Sequence, residues 1–201
     1  MSVYKACQKG DIAAVELFIQ EGNNVDLNNI LRESSLFGQV KLVEVLLDKY
    51  DADIHYDEDY AFYIACGKGN IPFMEFLMAR GVDFNNHNGK ALLSAAHWGH
   101  FHVVKYLVEK GIFLHYDNDA PFRFSCTTGT YETAEYLLQH GADVHADNDW
   151  AVRNTAKFSS RNDILQLLVR FGANVHANND EALNNAKKWN AQNNYDYLLT
   201  L

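Results

Sequence analysis

One phrase returns along this chain at a step of about thirty residues, and the step decides what the chain can fold into. It reads G-A-D-V-H-A-D-N-D-W-A-V-R from Gly141, G-A-N-V-H-A-N-N-D-E-A-L-N from Gly172, D-A-D-I-H-Y-D-E-D-Y-A-F-Y from Asp51 and G-I-F-L-H-Y-D-N-D-A-P-F-R from Gly111. A second phrase keeps the same step: Glu44-Val45-Leu46-Leu47, Glu75-Phe76-Leu77-Met78, Lys105-Tyr106-Leu107-Val108, Glu135-Tyr136-Leu137-Leu138, Gln166-Leu167-Leu168-Val169 and Asp196-Tyr197-Leu198-Leu199. Glu16-Leu17-Phe18-Ile19 is a more degenerate copy. Seven repeats therefore tile residues 1–201 as one domain, with approximate bounds 1–21, 22–50, 51–80, 81–110, 111–140, 141–171 and 172–201. One extra residue between Gly141 and Gly172 falls near Phe158 to Arg161.

Each repeat reads as helix, tight turn, helix, loop. In the fourth, Ala91, Leu92, Ala95 and Ala96 lie at helical spacing, and their small side chains let neighbouring helices approach closely. Gly99 ends that helix, as Gly10, Gly38, Gly69 and Gly129 do elsewhere, because a left-handed terminal residue costs least as glycine. A second helix over about Phe101 to Lys110 presents Val104, Leu107 and Val108 on one face. Gly111 closes it, in the column of Gly22, Gly81, Gly141 and Gly172.

Three aspartates and a histidine crowd the recurring phrase, which raises ion binding as one reading. Asp59, Asp119, Asp149 and Asp180 each stand directly before a helix, where a carboxylate accepts free backbone N–H groups, so they are expected to be caps. Asp143 and Asp147 lie in a loop of residues that satisfy their own backbone. The central glycine and distal glutamate of a calcium loop are missing. His55, His115, His145 and His176, with Asn85 in the same column, are spaced by the stacking distance of helices, about 10 Å. Zinc–nitrogen bonds near ~2 Å require convergence, so a ladder is expected rather than a cluster.

The chain has 17 basic and 26 acidic residues, a net charge of −9, which repels nucleic acid and anionic lipid. No apolar run approaches the ~20 residues of a membrane span, and no secretory leader opens the sequence. The expectation is an intracellular chain, cytoplasmic or nuclear, with neither nucleic acid nor membrane as partner. Cys7, Cys66 and Cys126 share one column in alternate repeats, roughly 20 Å apart by helix packing distances, too far for a disulfide. They are expected to be free and mostly buried. His97, His100 and His102 form the best local metal candidate. No phosphate loop, nucleophile elbow or H-E-x-x-H occurs, so no enzyme and no cofactor is expected.

The phrases G-A-D-V-H at Gly141, A-C-x-K-G-[DN]-I at Ala6–Ile12 and Ala65–Ile71, and W-G-H-F-H-V-V-K-Y-L-V-E-K-G at Trp98–Gly111 resemble the ankyrin repeat over essentially the whole chain. The resemblance implies an all-α class: a curved solenoid of about seven stacked helix-turn-helix repeats with short projecting loops or hairpins. It assigns Gly99-His100 a turn-stabilising role. A usual repeat has 33 residues and opens with T-P-L-H. This chain has Ala120-Pro121-Phe122-Arg123 and, elsewhere, Tyr60-Ala61-Phe62-Tyr63, Lys90-Ala91-Leu92-Leu93, Trp150-Ala151-Val152-Arg153 and Glu181-Ala182-Leu183-Asn184. The missing residues fall in the hairpin, so fingers should be short. Loss of the Thr and His hydrogen bonds predicts less rigid junctions. The thirty-residue form with H-A-D-N-D-x-A is similar to ankyrin proteins of giant DNA viruses, which points to an infected host cell as the setting.

Family partners dock on the concave side, and that expectation is carried over column by column. It selects Tyr56, Tyr60, Lys90, His97, Trp98, Tyr116, Trp150, Phe158 and Trp189. All three tryptophans fall in variable columns. Aromatic side chains bury large area with few rotors, as binding hot spots do; the alternative is that they pack against neighbouring repeats. The leading reading is a monomeric, non-enzymatic scaffold for a protein partner. The competing reading is a metal or redox role on His97, His100 and His102 or the cysteines. The polar last repeat, with Asn185, Lys187, Lys188 and Asn190, reads as a cap. Asn85 occupies a column that the resemblance marks as a hydroxylation substrate.

Overall fold

The computed structural model describes residues 2–22 and 25–201, with backbone alone at 87 and 88. Among the described residues fourteen α-helices follow one another in seven pairs, and there is no strand. The chain forms two compact bodies, residues 1–87 and 88–201. In the first, α1 (Val3–Lys9) pairs with α2 (Ile12–Gln20), α3 (Leu27–Leu36) with α4 (Val40–Tyr50) and α5 (Tyr56–Gly67) with α6 (Ile71–Ala79). The first helices α1, α3 and α5 lie side by side.

The second body holds α7 (Lys90–His97) with α8 (Phe101–Glu109), α9 (Ala120–Thr128) with α10 (Tyr131–Gln139), α11 (Ala146–Thr155) with α12 (Asn162–Arg170), and α13 (Ala177–Lys188) with α14 (Gln192–Leu198). Helices α7, α9, α11 and α13 form one layer, and α8, α10, α12 and α14 a second. The core lies between them. Ala91, Leu92, Ala95 and Ala96 are buried on α7, Val103, Val104 and Leu107 on α8, and Leu137 on α10. Burying each leucine contributes about 1.5–3 kcal/mol, the main term holding one pair on the next.

The glycine turns behave as the sequence predicts: Gly10, Gly38, Gly69, Gly99 and Gly129 all have positive φ. The sixth repeat has no such glycine. There the extra residue is absorbed by a 3₁₀ turn over Ser159–Arg161. Buried Asn194 of α14 donates to the carbonyls of Ala156 at 3.1 Å and Phe158 at 2.9 Å, satisfying groups that a regular turn would bond itself.

The loops correct the expectation of capping aspartates. Asp119 does precede α9, but it makes no side-chain cap hydrogen bond. It ends a left-handed triplet, Asp117-Asn118-Asp119, with φ of 46°, 53° and 57°. The same triplet occurs at Asp57-Glu58-Asp59, Asp147-Asn148-Asp149 and Asn178-Asn179-Asp180, where it kinks the first turn of α5, α11 and α13 ahead of the regular helix. Asp and Asn tolerate this region better than most residues, which is why the loop is written in them. With that geometry the carboxylates face sideways and pair with the histidine four residues earlier. The Nδ1–Oδ1 distances are 2.6 Å for His55–Asp59, 2.9 Å for His115–Asp119, 2.9 Å for His145–Asp149 and 2.6 Å for His176–Asp180.

Those carboxylates also join repeats. Asp119 accepts the backbone N–H of Asp143 at 3.4 Å, and Asp149 that of Asn174 at 2.8 Å. Asp143 accepts from the N–H of His145 at 2.9 Å, the local turn bond expected of it. The junctions within the second body are not left without the bonds that T-P-L-H would supply. Arg123 Nε and Nη2 donate to the carbonyls of Asn118 and Asp117 at 2.7 and 2.6 Å, and Nη1 reaches Asp147 at 3.0 Å. Arg153 repeats the pattern on Asn148, Asp147 and Glu181 at 2.8, 2.9 and 2.6 Å. A buried guanidinium thus holds its own left-handed loop and the following repeat together.

Candidate functional site

The outward side of the α7, α9, α11 layer carries a row of rings. His97 at the end of α7 meets Trp98 edge-on at 5.3 Å and Phe124 of α9 edge-on at 5.8 Å. Phe124 lies 6.0 Å from Trp150 of α11, and the Arg123 guanidinium sits over the Trp150 ring at 5.2 Å. Three successive first helices therefore contribute to one aromatic surface. Helical spacing produces it. Ala95, Ala96 and Cys126 turn into the core, so His97, Phe124 and Trp150 point away from it. Trp98 is 66% exposed, well beyond what packing in the stack requires.

The other residues selected from sequence divide between the two bodies. Tyr56 and Tyr60 are half-buried in the first; the Tyr56 hydroxyl reaches Asn29 at 3.5 Å, and Arg32 lies over the Tyr60 ring at 5.6 Å. Lys90 is half-buried at the start of α7, and Tyr116 is half-buried beside Gly89. Phe158 and Trp189 stand at the ends of α11 and α13, 39% and 60% exposed. Trp150 is half-buried between Phe124 and Arg123, so it both packs and borders the surface. Phe124 was not selected from the sequence, although it stands one turn after Ala120 in a variable column, and that position is a readable signal.

The histidines singled out for metal are engaged with rings. His97 contacts Trp98 and Phe124, and His100 and His102 meet edge-on at 5.8 Å. No group of three His, Cys, Asp or Glu among the described residues is arranged to hold a metal ion. Cys7, Cys66 and Cys126 are buried free thiols, and burial pushes the thiol pKa of each upward. A thiol held protonated is a poor nucleophile. No helix among the described residues is long and apolar enough to cross a membrane.

Paired helices in two layers, glycine turns and short loops define a helical repeat protein. A family model of three ankyrin repeats matches residues 34–119 and 62–148, and the chain belongs to the ankyrin-repeat family. It is 35% identical over 71 residues, 35% of its length, to an ankyrin repeat protein of Acanthamoeba polyphaga mimivirus, of which it spans 11%. Its fold is that of the crystal structure of the human ASB11 ankyrin repeat domain, with a TM-score of 0.76 and 22% identity, covering 100% of this chain and 97% of that one. Ankyrin repeats serve generally in protein–protein interaction and are typically non-enzymatic.

Proposed function

We propose that the chain is a protein-binding scaffold whose contact surface is the first-helix layer, the concave side in ankyrin proteins. His97, Trp98 and Trp150, joined by Phe124, form its centre, and Tyr116, Lys90, Phe158 and Trp189 border it. Tyr56 and Tyr60 offer the corresponding positions in the first body. The observation that carries this reading is the aromatic row itself, with Trp98 exposed at one end and an arginine stacked at the other. Rigid aromatic groups beside a guanidinium make up binding hot spots, because they desolvate large area at small entropic cost. The likeness to a viral ankyrin protein supports a partner from an infected cell, met by a monomeric chain in cytoplasm or nucleus.

The test is quantitative capture of protein partners by immobilised native chain, by Trp98→Ala/Trp150→Ala and by Leu137→Ala. The double variant should lose its partners while melting close to native; Leu137→Ala should lose stability yet keep capture below its melting point. Capture unimpaired in the double variant refutes the proposed surface.

A further inference from the structure

The 3₁₀ turn inserted in the sixth repeat carries an arginine that the fold does not use. Among the described residues Arg32, Arg80, Arg123, Arg153 and Arg170 all pair with a carboxylate. Arg161 pairs with none. Its guanidinium lies 3.8 Å from the centre of the Phe158 ring, and its Nε crosses the Gly129 turn, 3.1 Å from where a Cβ would stand. Nη1 is buried without a hydrogen-bond partner in the chain. Leaving such a donor unsatisfied is unfavourable, and more so when the group is charged. Burial also pulls the guanidinium below its ordinary pKa, as expected where nothing neutralises it.

Position adds a second cost. Arg161 is the N-cap residue of α12, where unsatisfied N–H groups present positive potential. Asp163 lies in the first turn of α12, where its Oδ1 accepts the Ile164 N–H and offsets part of that potential, but it does not pair with Arg161; it lines a cavity with Tyr131, Gln166 and Arg170. Helices α11 and α13 pack side by side; Lys157 follows the end of α11, and Lys187 and Lys188 close α13. Among the described residues none of these lysines has an ion pair; Lys157 Nζ donates only to neutral Asn154, at 2.6 Å. The helix C-terminal dipole accounts for Lys187 and Lys188. It does not account for an arginine at the opposite, N-terminal end of α12.

We propose that Arg161, held flat by Phe158, is the anchor for a carboxylate on an acidic segment of the protein partner, with Lys157, Lys187 and Lys188 extending the complementary charge. The assignment rests on the scaffold reading above and names the chemistry of what that scaffold binds. A planar guanidinium fixed on an aromatic ring presents its remaining donors in the fork that a carboxylate accepts bidentately. The partner's charge would also offset the dipole at α12.

The test follows the Nε–Hε resonances of the native protein at low ionic strength during titration with a hexaglutamate peptide, a hexaglutamine peptide and a phosphoserine peptide. Hexaglutamate should shift the Arg161 resonance saturably, and hexaglutamine should not. Arg161→Gln should weaken hexaglutamate binding roughly tenfold or more, and Arg161→Lys should not restore it, since the fork is lost. Arg161→Gln should melt no lower than native, because it removes a charge that has no partner in the chain. An unmoved Arg161 resonance, an equal response to hexaglutamine, unchanged affinity in Arg161→Gln or binding of the phosphoserine peptide alone each overturns the assignment. Failure here with the Trp98/Trp150 capture loss intact removes only the acidic anchor; hexaglutamate binding with capture unimpaired in that double variant removes the aromatic surface instead.

Discussion

Arg153→Met removes the guanidinium fork from the left-handed loop of the sixth repeat while leaving an apolar stem of similar length. The native residue, 8% exposed, makes three side-chain hydrogen bonds: to the carbonyls of Asn148 and Asp147 and to the Glu181 carboxylate. A hydrogen bond to a charged group contributes about 1.5–3 kcal/mol in a buried setting, and the half-exposed Glu181 end belongs near the low limit. The left-handed residues Asp147, Asn148 and Asp149 add local strain that these bonds offset. Two bonds at about 1.5–3 and one near 1.5 sum to about 4.5–7.5 kcal/mol, and water solvating the freed carbonyls brings the expected destabilisation to about 3–5 kcal/mol. The assay is urea unfolding together with amide hydrogen exchange at residues 147–149, where protection should fall first. Arg153→Lys should recover less than half, because one ammonium cannot span two carbonyls and a carboxylate. A Met variant within about 0.5 kcal/mol of native, the range of inconsequential surface changes, would refute the claim that arginine holds these loops.

Four further outcomes follow from the same geometry. Leu137→Ala should cost about 2–5 kcal/mol by urea unfolding, as a cavity in a packed core, whereas Trp98→Ala should stay within about 0.5 kcal/mol. Gly89→Ala should destabilise by more than about 1 kcal/mol in thermal melts, since φ is +99° and a Cβ would stand 2.6 Å from the Phe113 carbonyl oxygen. The thiols of Cys66 and Cys126 should resist a water-soluble alkylating reagent in the native chain and react on unfolding, as mass spectrometry would show. Hydrogen bonds from Asn178 and then Arg153 hold the Glu181 carboxyl below the usual glutamate range. Its contribution is therefore present above the unfolded glutamate pKa and lost as pH falls through the lower folded value, so Glu181→Gln should flatten the acid limb of a stability–pH profile.

The helix pairs were legible because apolar spacing, repeated seven times, and glycine turns, present in the first five repeats, are local signals. Burial of Cys66 and Cys126 followed from one column recurring between known helix ends. The loop acids were misread because a residue before a helix is usually its cap. Nothing local announces that three successive non-glycine residues adopt positive φ and turn the Asp119 and Asp149 carboxylates toward His115 and His145. The arginine column was visible as Arg123 and Arg153, but its role depends on carbonyls five and six residues earlier, which only the left-handed turn aims at it. His97, Trp98 and Trp150 were assigned to one side by the family resemblance, column by column. That Phe124 bridges them is a tertiary fact. The metal reading of His97, His100 and His102 rested on proximity along the chain, whereas the turn at Gly99 sends His97 to the rings of α9.

The proposed binding surface is tested most directly by the accessibility of Trp98 in the complex with a captured partner. Acrylamide quenching of the native chain's fluorescence, compared with that of Trp98→Phe, isolates the Trp98 contribution. The account predicts strong quenching in the free chain and a several-fold drop when the partner is bound. Quenching that is unchanged by the partner, with protection from hydrogen exchange gained only on α8, α10 and α12, would place the contact on the opposite layer and contradict it.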